Sequence, residues 1–145
     1  MNITIIGTGY VGLVSGICFA EFGFDVTCVD KDKNKIEDLK YGKVPIYEPG
    51  LDVILKRNIE ANRITFSTNL ESAVRSADIV FIAVGTPSRR GDGHADLSFV
   101  FNAAEEIAKS INDYTLIVTK STVPVGTGNK VKQIIEKANY KAEFD

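Results

Sequence analysis

The 145-residue sequence is poor in the residues that build metal sites and disulfide scaffolds: it has two cysteines and one histidine. Cys18 and Cys28 make neither a disulfide framework nor a metal-ligand pattern. With His94 as the lone histidine, no metal site is expected. This cysteine usage suits a reducing, cytoplasmic compartment. Long apolar runs are also missing, so no segment is expected to span a bilayer. The opening Met1-Asn2-Ile3-Thr4-Ile5-Ile6-Gly7 lacks the basic region and longer apolar stretch of a secretory signal. Charge of one sign is absent as well: 17 Lys and Arg face 19 Asp and Glu, for a net charge of −2. That balance argues against nucleic acid or a membrane surface as a partner held by bulk electrostatics.

What is present is the mix of an ordinary globular domain, 44% hydrophobic and 25% charged. There is enough apolar side chain to offset the entropy of ordering the chain. Residues 1–145 read as one domain. Apolar runs that predict strands (residues 3–6, 25–30, 64–67, 79–84 and 115–120) alternate with segments of helical spacing. The helices are expected over about 11–22, 33–41, 49–61, 68–75, 98–111 and around Val131, Ile134, Ile135 and Ala138. Pro49 is placed in the first turn of its helix. Thr68 with Glu71 has capping-box spacing, and Asp96 or Ser98 is expected to cap the helix that follows. Ala142 to Asp145 reads as the start of a further strand. This alternation predicts an α/β fold, a parallel sheet covered on both faces.

Four strand ends carry the chemistry. Gly7-Thr8-Gly9-Tyr10-Val11-Gly12 is a G-x-G-x-x-G run that leaves a strand and opens a helix, the context a dinucleotide site needs. Gly7 permits the tight turn, Gly9 the approach of a pyrophosphate, and Gly12 close packing of helix on strand. Tyr10 and Val11 then direct backbone N–H groups at the phosphates from the helix N-terminus. Eighteen residues on, Asp30 ends the second strand, where a carboxylate can accept both ribose hydroxyls of an adenosine and repel a 2′-phosphate. The cofactor expected is therefore NAD rather than NADP. Lys31, Lys33 and Lys35 weaken that preference unless they form a solvated helix face, as expected of Lys31 and Lys33. At two later strand ends, Gly85 and Thr86 can flank a cofactor, and Ser121 and Thr122 can reach toward its reacting end. A turn hydroxyl that satisfies local backbone explains these residues equally well. The loop from Ser88 to Asp96 is long enough to act as a lid. Its Arg89 and Arg90 suit phosphate or carboxylate, or simply solvent, and His94 is a base or inert. Cys18 and Cys28 read as core thiols.

Over nearly its whole length the chain resembles the NAD-binding part of the UDP-glucose/GDP-mannose dehydrogenase family. The segments that carry the resemblance are Gly7 to Gly16, Val29-Asp30 with Lys35-Ile36, Pro45 to Leu51, Ala83 to Pro87, Ala95 to Leu97 and Lys120 to Gly128. The stretches Tyr47-Glu48-Pro49-Gly50-Leu51 and Lys120-Ser121-Thr122-Val123-Pro124-Val125-Gly126-Thr127 are more specific than any dinucleotide fingerprint. The arginine loop looks most like the UDP-glucose branch, with GDP-mannose and UDP-N-acetylmannosamine enzymes as the alternative. A free-standing, non-catalytic nucleotide-binding module is the alternative from another class.

The resemblance implies a Rossmann-like sheet of order 3-2-1-4-5 with a truncated sixth strand. It implies NAD contacts from Val11 to the pyrophosphate, from Asp30 and Lys35 to the adenosine half, and from Thr86 and Thr122 further along. Thr122 is the one catalytic position expected here, placing water or the substrate oxygen, while Glu48 shapes the domain. The implied reaction is oxidation of UDP-glucose to UDP-glucuronate with two NAD by a homo-oligomeric enzyme. It runs through a cysteine nucleophile that no position of this chain matches. The chain is accordingly expected to bind NAD without completing the oxidation, the central and substrate domains lying outside it.

Overall fold

The computed structural model describes residues 1–89 and 93–145. Arg90, Gly91 and Asp92, and with them the middle of the arginine loop, lie outside the described residues. The chain runs β1 (Asn2–Ile6), α1 (Tyr10–Glu21), β2 (Asp25–Val29), α2 (Lys33–Lys40), α3 (Leu51–Glu60), β3 (Ile64–Ser67), α4 (Leu70–Arg75), β4 (Ile79–Ile82), α5 (Ser98–Ser110), β5 (Leu116–Thr119) and α6 (Thr127–Ala138). The five strands form one parallel sheet of order β3-β2-β1-β4-β5, as expected from the resemblance.

β1 is central because it is buried on both faces: Ile3, Thr4, Ile5 and Ile6 are all covered, the Thr4 hydroxyl donating to the Ala73 carbonyl. A strand covered on both sides needs no polar alternation. Its two faces feed two cores. Ile3 and Ile5 pack with Leu13, Ile17, Ile36, Leu39 and Leu55 from α1, α2 and α3. Ile6 packs with Val80, Val100, Ala104, Ile107, Val131 and Ile135 on the side of α4, α5 and α6. The crossover from β3 through α4 to β4 moves the chain from one face to the other. That switch opens a crevice at the carboxyl ends of β1 and β4.

Local chemistry moves some helix ends away from their predicted positions. Asn69, not Thr68, caps α4, its side chain accepting from Ser72 N at 3.1 Å. Asn and Asp are the stronger caps. Pro49 lies outside its helix: Gly50, at φ +82°, is the N-cap, and α3 starts at Leu51. Asp32 caps α2 by accepting from Lys35 N. Asp96 accepts from Ser98 N at 3.0 Å one position before the nominal cap of α5, Leu97. That amide bond holds the Asp96 carboxyl below its usual range. The expected sixth strand is a single parallel bridge, Thr115 to Phe144, with Ile117 N donating to Asp145 O at 2.8 Å. It lies against the outer edge of β5.

Candidate functional site

The glycine loop is built by steric necessity. Gly7 has φ +99°, and a Cβ on it would lie 2.6 Å from the Ala83 carbonyl oxygen. A Cβ on Gly12 would lie 2.0 Å from the Gly7 carbonyl oxygen. Any side chain at either position would push apart β1, β4 and α1, so both glycines are demanded by packing alone. Gly9 is different. A Cβ there meets nothing within 4 Å, so protein packing does not demand this glycine and the space over it is open. Gly9 caps α1 in an extended conformation, with no side-chain cap and no acidic residue in the first turn. The helix therefore presents its N–H groups and positive dipole end to that space.

Asp30 stands at the end of β2 beside this loop. Its Oδ2 accepts from Thr8 N at 2.9 Å, Thr8 Oγ1 at 2.6 Å and Lys35 Nζ at 3.2 Å, and its Oδ1 accepts from Asp32 N at 3.1 Å. Burial alone would raise the Asp30 carboxyl. The Thr8 hydroxyl and amide, the Asp32 amide and the Lys35 ammonium outweigh it and hold the group below its ordinary range. Asp30 is thus a fixed anion, with most of its bonding on one oxygen and capacity left on the other.

Gly7, Gly9, Asp30, Lys35 and Gly85 line one cleft of about 540 Å³, with Ile6, Val29, Ala83 and Val84 among its apolar walls. That volume suits a small-molecule or cofactor site. Tyr10, Val11 and Gly12 lie on the helix that starts at its rim. Tyr10 is half-exposed and donates its phenol to Glu48, which raises the phenol above its usual value. Glu48 thereby ties the loop before α3 to the glycine loop.

Thr86, Ser121 and Thr122 do not line the cleft. They form a second group beside it, where the loops after β4 and β5 meet. Thr86 Oγ1 donates to Thr122 O at 3.1 Å, and Ser121 Oγ donates to Val84 O at 2.7 Å. Both hydroxyl protons go to backbone, which leaves these oxygens as acceptors. Of the predicted core thiols, Cys28 is buried, its thiol pushed up to about 12 by desolvation, and Cys18 is half-buried. Among the described residues no group of acids, histidines and cysteines is arranged to hold a metal.

Sequence reasoning misses one wall of the cleft. Phe99, Asn102, Ala103 and Glu106 line it from α5, and Thr68 and Leu70 close another side. The four α5 positions fall at i, i+3, i+4 and i+7, a second stripe beside the buried Val100, Ala104 and Ile107. That spacing was the available signal. Thr8 is missed too: it reads as a spacer between glycines, yet it is buried and bonds Asp30 twice. Lys31 was expected on a solvated face. It is exposed, but it pairs with Glu106 at 2.6 Å.

A dinucleotide crevice alone does not separate one cofactor-dependent lineage from another; comparison with known proteins does. The NAD binding domain of the UDP-glucose/GDP-mannose dehydrogenase family matches residues 1–145. The chain belongs to that family. Over 143 residues it is 60% identical to a UDP-glucose 6-dehydrogenase of Rhizobium meliloti, covering 99% of this chain and 33% of that protein. Among solved structures, a GDP-mannose dehydrogenase from Pseudomonas aeruginosa superposes with a TM-score of 0.96 at 36% identity, covering 100% of this chain and 35% of that one. A UDP-glucose dehydrogenase from Pyrobaculum islandicum gives 0.93 at 37% identity, covering 99% and 34%. The chain spans about a third of the length of the curated relatives it matches. As the family's NAD-binding domain, it fits the cofactor through the open space over Gly9 and the fixed carboxylate of Asp30. No described helix is long and apolar enough to cross a membrane.

Proposed function

We propose that this chain is the cofactor domain of a UDP-glucose 6-dehydrogenase. The observation that carries the cofactor half of the reading is the Asp30 carboxylate, held as an anion in the same cleft as Gly7 and Gly9. NAD accepts a hydride from the substrate carbon when bound. The chain's own residues bind and orient it. The N–H groups at the start of α1, Tyr10 and Val11 among them, hold the pyrophosphate. Asp30 accepts the adenosine ribose hydroxyls, and Lys35 neutralises the adjoining charge. Gly85 leaves room for the chain of the cofactor, and Thr86 and Ser121 offer acceptor oxygens alongside it. Thr122 places the water or substrate oxygen.

The substrate half of the reading rests on relatedness: the 60% identity is to a protein named for UDP-glucose, and the 36% identity to one named for GDP-mannose. Conversion of the C6 alcohol to a carboxylate removes four electrons, so it consumes two NAD and one water and needs a nucleophile to retain the aldehyde. No segment of residues 1–145 matches the family's cysteine motif. These residues therefore bind NAD, and turnover belongs to a longer, homo-oligomeric, cytoplasmic enzyme.

Titration of the 145-residue chain with NADH, followed by fluorescence, tests the cofactor reading. Asp30→Ala removes hydrogen bonds to a charged acceptor, each contributing about 1.5–3 kcal/mol, so affinity falls at least tenfold. Undiminished affinity overturns the ribose role. Supplying the parent enzyme with UDP-glucose, GDP-mannose and UDP-N-acetylmannosamine in turn tests the substrate. Two NADH per UDP-glucose is expected, and faster oxidation of either other sugar nucleotide refutes the assignment.

A further inference from the structure

The cleft holds a puzzle of charge. An NAD site that excludes a 2′-phosphate should not place cations beside the ribose acid, yet Lys31 and Lys35 both line it. An ammonium there is the usual partner for a phosphate. The structure resolves the conflict by pairing. Four charged side chains line the cleft among the described residues: Asp30, Lys31, Lys35 and Glu106. Lys35 Nζ lies 3.2 Å from Asp30 Oδ2, and Lys31 Nζ lies 2.6 Å from Glu106 Oε1. Each cation is committed to an acid. The Lys35 pair is local, five residues apart in sequence. The Lys31 pair joins two parts of the chain 75 residues apart, reaching from the end of β2 to α5.

We propose that Glu106 is a specificity-determining residue for NAD over NADP, acting through Lys31. The inference rests on the cofactor reading above and adds a residue to it. Glu106 acts from α5. It occupies the Lys31 ammonium, which would otherwise be available to a 2′-phosphate next to Asp30. The pair thereby presents no net positive charge on the wall that such a phosphate would face. Asp30 can repel a phosphate, but with Lys31 unpaired its charge would be offset at short range. Selectivity at this site is therefore shared between an acid just past β2 and an acid on a helix from the other face of the sheet. Lys31 is the element both act around.

The test is the ratio of NADPH to NADH affinity, measured by fluorescence titration on three forms of the chain. Glu106→Gln keeps the side-chain shape, removes the charge and frees Lys31. The ratio should shift toward NADPH by roughly two- to fivefold, the upper scale of one exposed charge pair. The shift should shrink as salt is raised, because the freed ammonium is screened. Adding Lys31→Ala to Glu106→Gln should abolish the shift, since the phosphate then loses its cation. A merely structural role for Glu106 would move both affinities together and leave the ratio in place. A ratio within twofold of wild type in Glu106→Gln overturns the proposal, as does a shift that survives in the double variant. Failure of the unaltered chain to bind NADH overturns the cofactor reading itself. NADH binding with an unmoved ratio overturns the Glu106 proposal alone.

Discussion

Removing one hydroxyl, that of Thr8, tests whether Asp30 is held as an anion by the residues that surround it. Thr8→Val keeps the side-chain shape and leaves the Thr8 amide, the Asp32 amide and Lys35 in place. It deletes the 2.6 Å hydrogen bond from Thr8 Oγ1 to Asp30 Oδ2. A hydrogen bond to a charged acceptor contributes about 1.5–3 kcal/mol. For a domain of this size that is a fall of roughly 4–10 °C in Tm. The pH dependence identifies the cause. Asp30 has a folded pKa below its unfolded one, so its contribution is fully present above the unfolded value and is lost as pH falls through the folded value. Thr8→Val moves the folded value up. The gap between wild type and variant is therefore widest near neutral pH and narrows as both carboxylates take up protons. Urea unfolding measured from about pH 7 down to the acid limit of the fold reads it directly. A gap that stays constant across that range would show that the hydroxyl acts through packing, and no gap would show that it does nothing.

Other substitutions separate the duties of the glycines, the caps and the thiols. Gly12→Ala places a Cβ 2.0 Å from a backbone oxygen and should cost about 3 kcal/mol or more in urea unfolding. A Cβ at Gly9 meets nothing within 4 Å, so for Gly9→Ala thermal melts should show the fold retained while NADH titration shows binding weakened; unchanged affinity would place the cofactor elsewhere. Asn69→Ala should cost about 1 kcal/mol and Thr68→Ala less, by the same urea assay, because Asn69 makes the cap. Maleimide labelling of the native protein near neutral pH, read by peptide mass, should modify Cys18 ahead of Cys28. The Cys28 thiol is buried and raised to about 12, and equal rates would contradict that burial.

The strands and the glycine loop were legible in the sequence because each rests on local pattern, whereas the order of the strands followed from the family resemblance. Continuous apolar runs mark strands buried on both faces, and G-x-G-x-x-G between a strand and a helix admits few alternatives. Asp30 was legible by its distance from Gly12. Thr8 was not, because its partner lies 22 residues away and nothing in a glycine motif announces that the spacer hydroxyl turns inward. The α5 wall was hidden for a related reason. Ala103 reads as core, while Asn102 and Glu106 read as solvated, and only the sheet topology brings that stripe over the cleft. The helix caps failed where two cap-capable residues sit side by side, as Thr68 and Asn69 do. There the stronger cap former takes the position.

The place of β1 in the sheet also sets a schedule for synthesis. Its first partner, β2, follows within 25 residues, but its second, β4, ends only at Ile82. Emerging from the ribosome, the β1-β2-β3 half can pair once Ser67 is out. It must then wait for the fifteen residues that reach Ile82, roughly 1–3 s at ordinary rates of translation. Through that interval β1 presents an open, isoleucine-rich edge, the kind of edge that recruits other chains. The strand that organises the finished domain is thus its most vulnerable segment while it is being made. Slowing elongation between Ser67 and Ile82 should raise the share of nascent chains that engage chaperones.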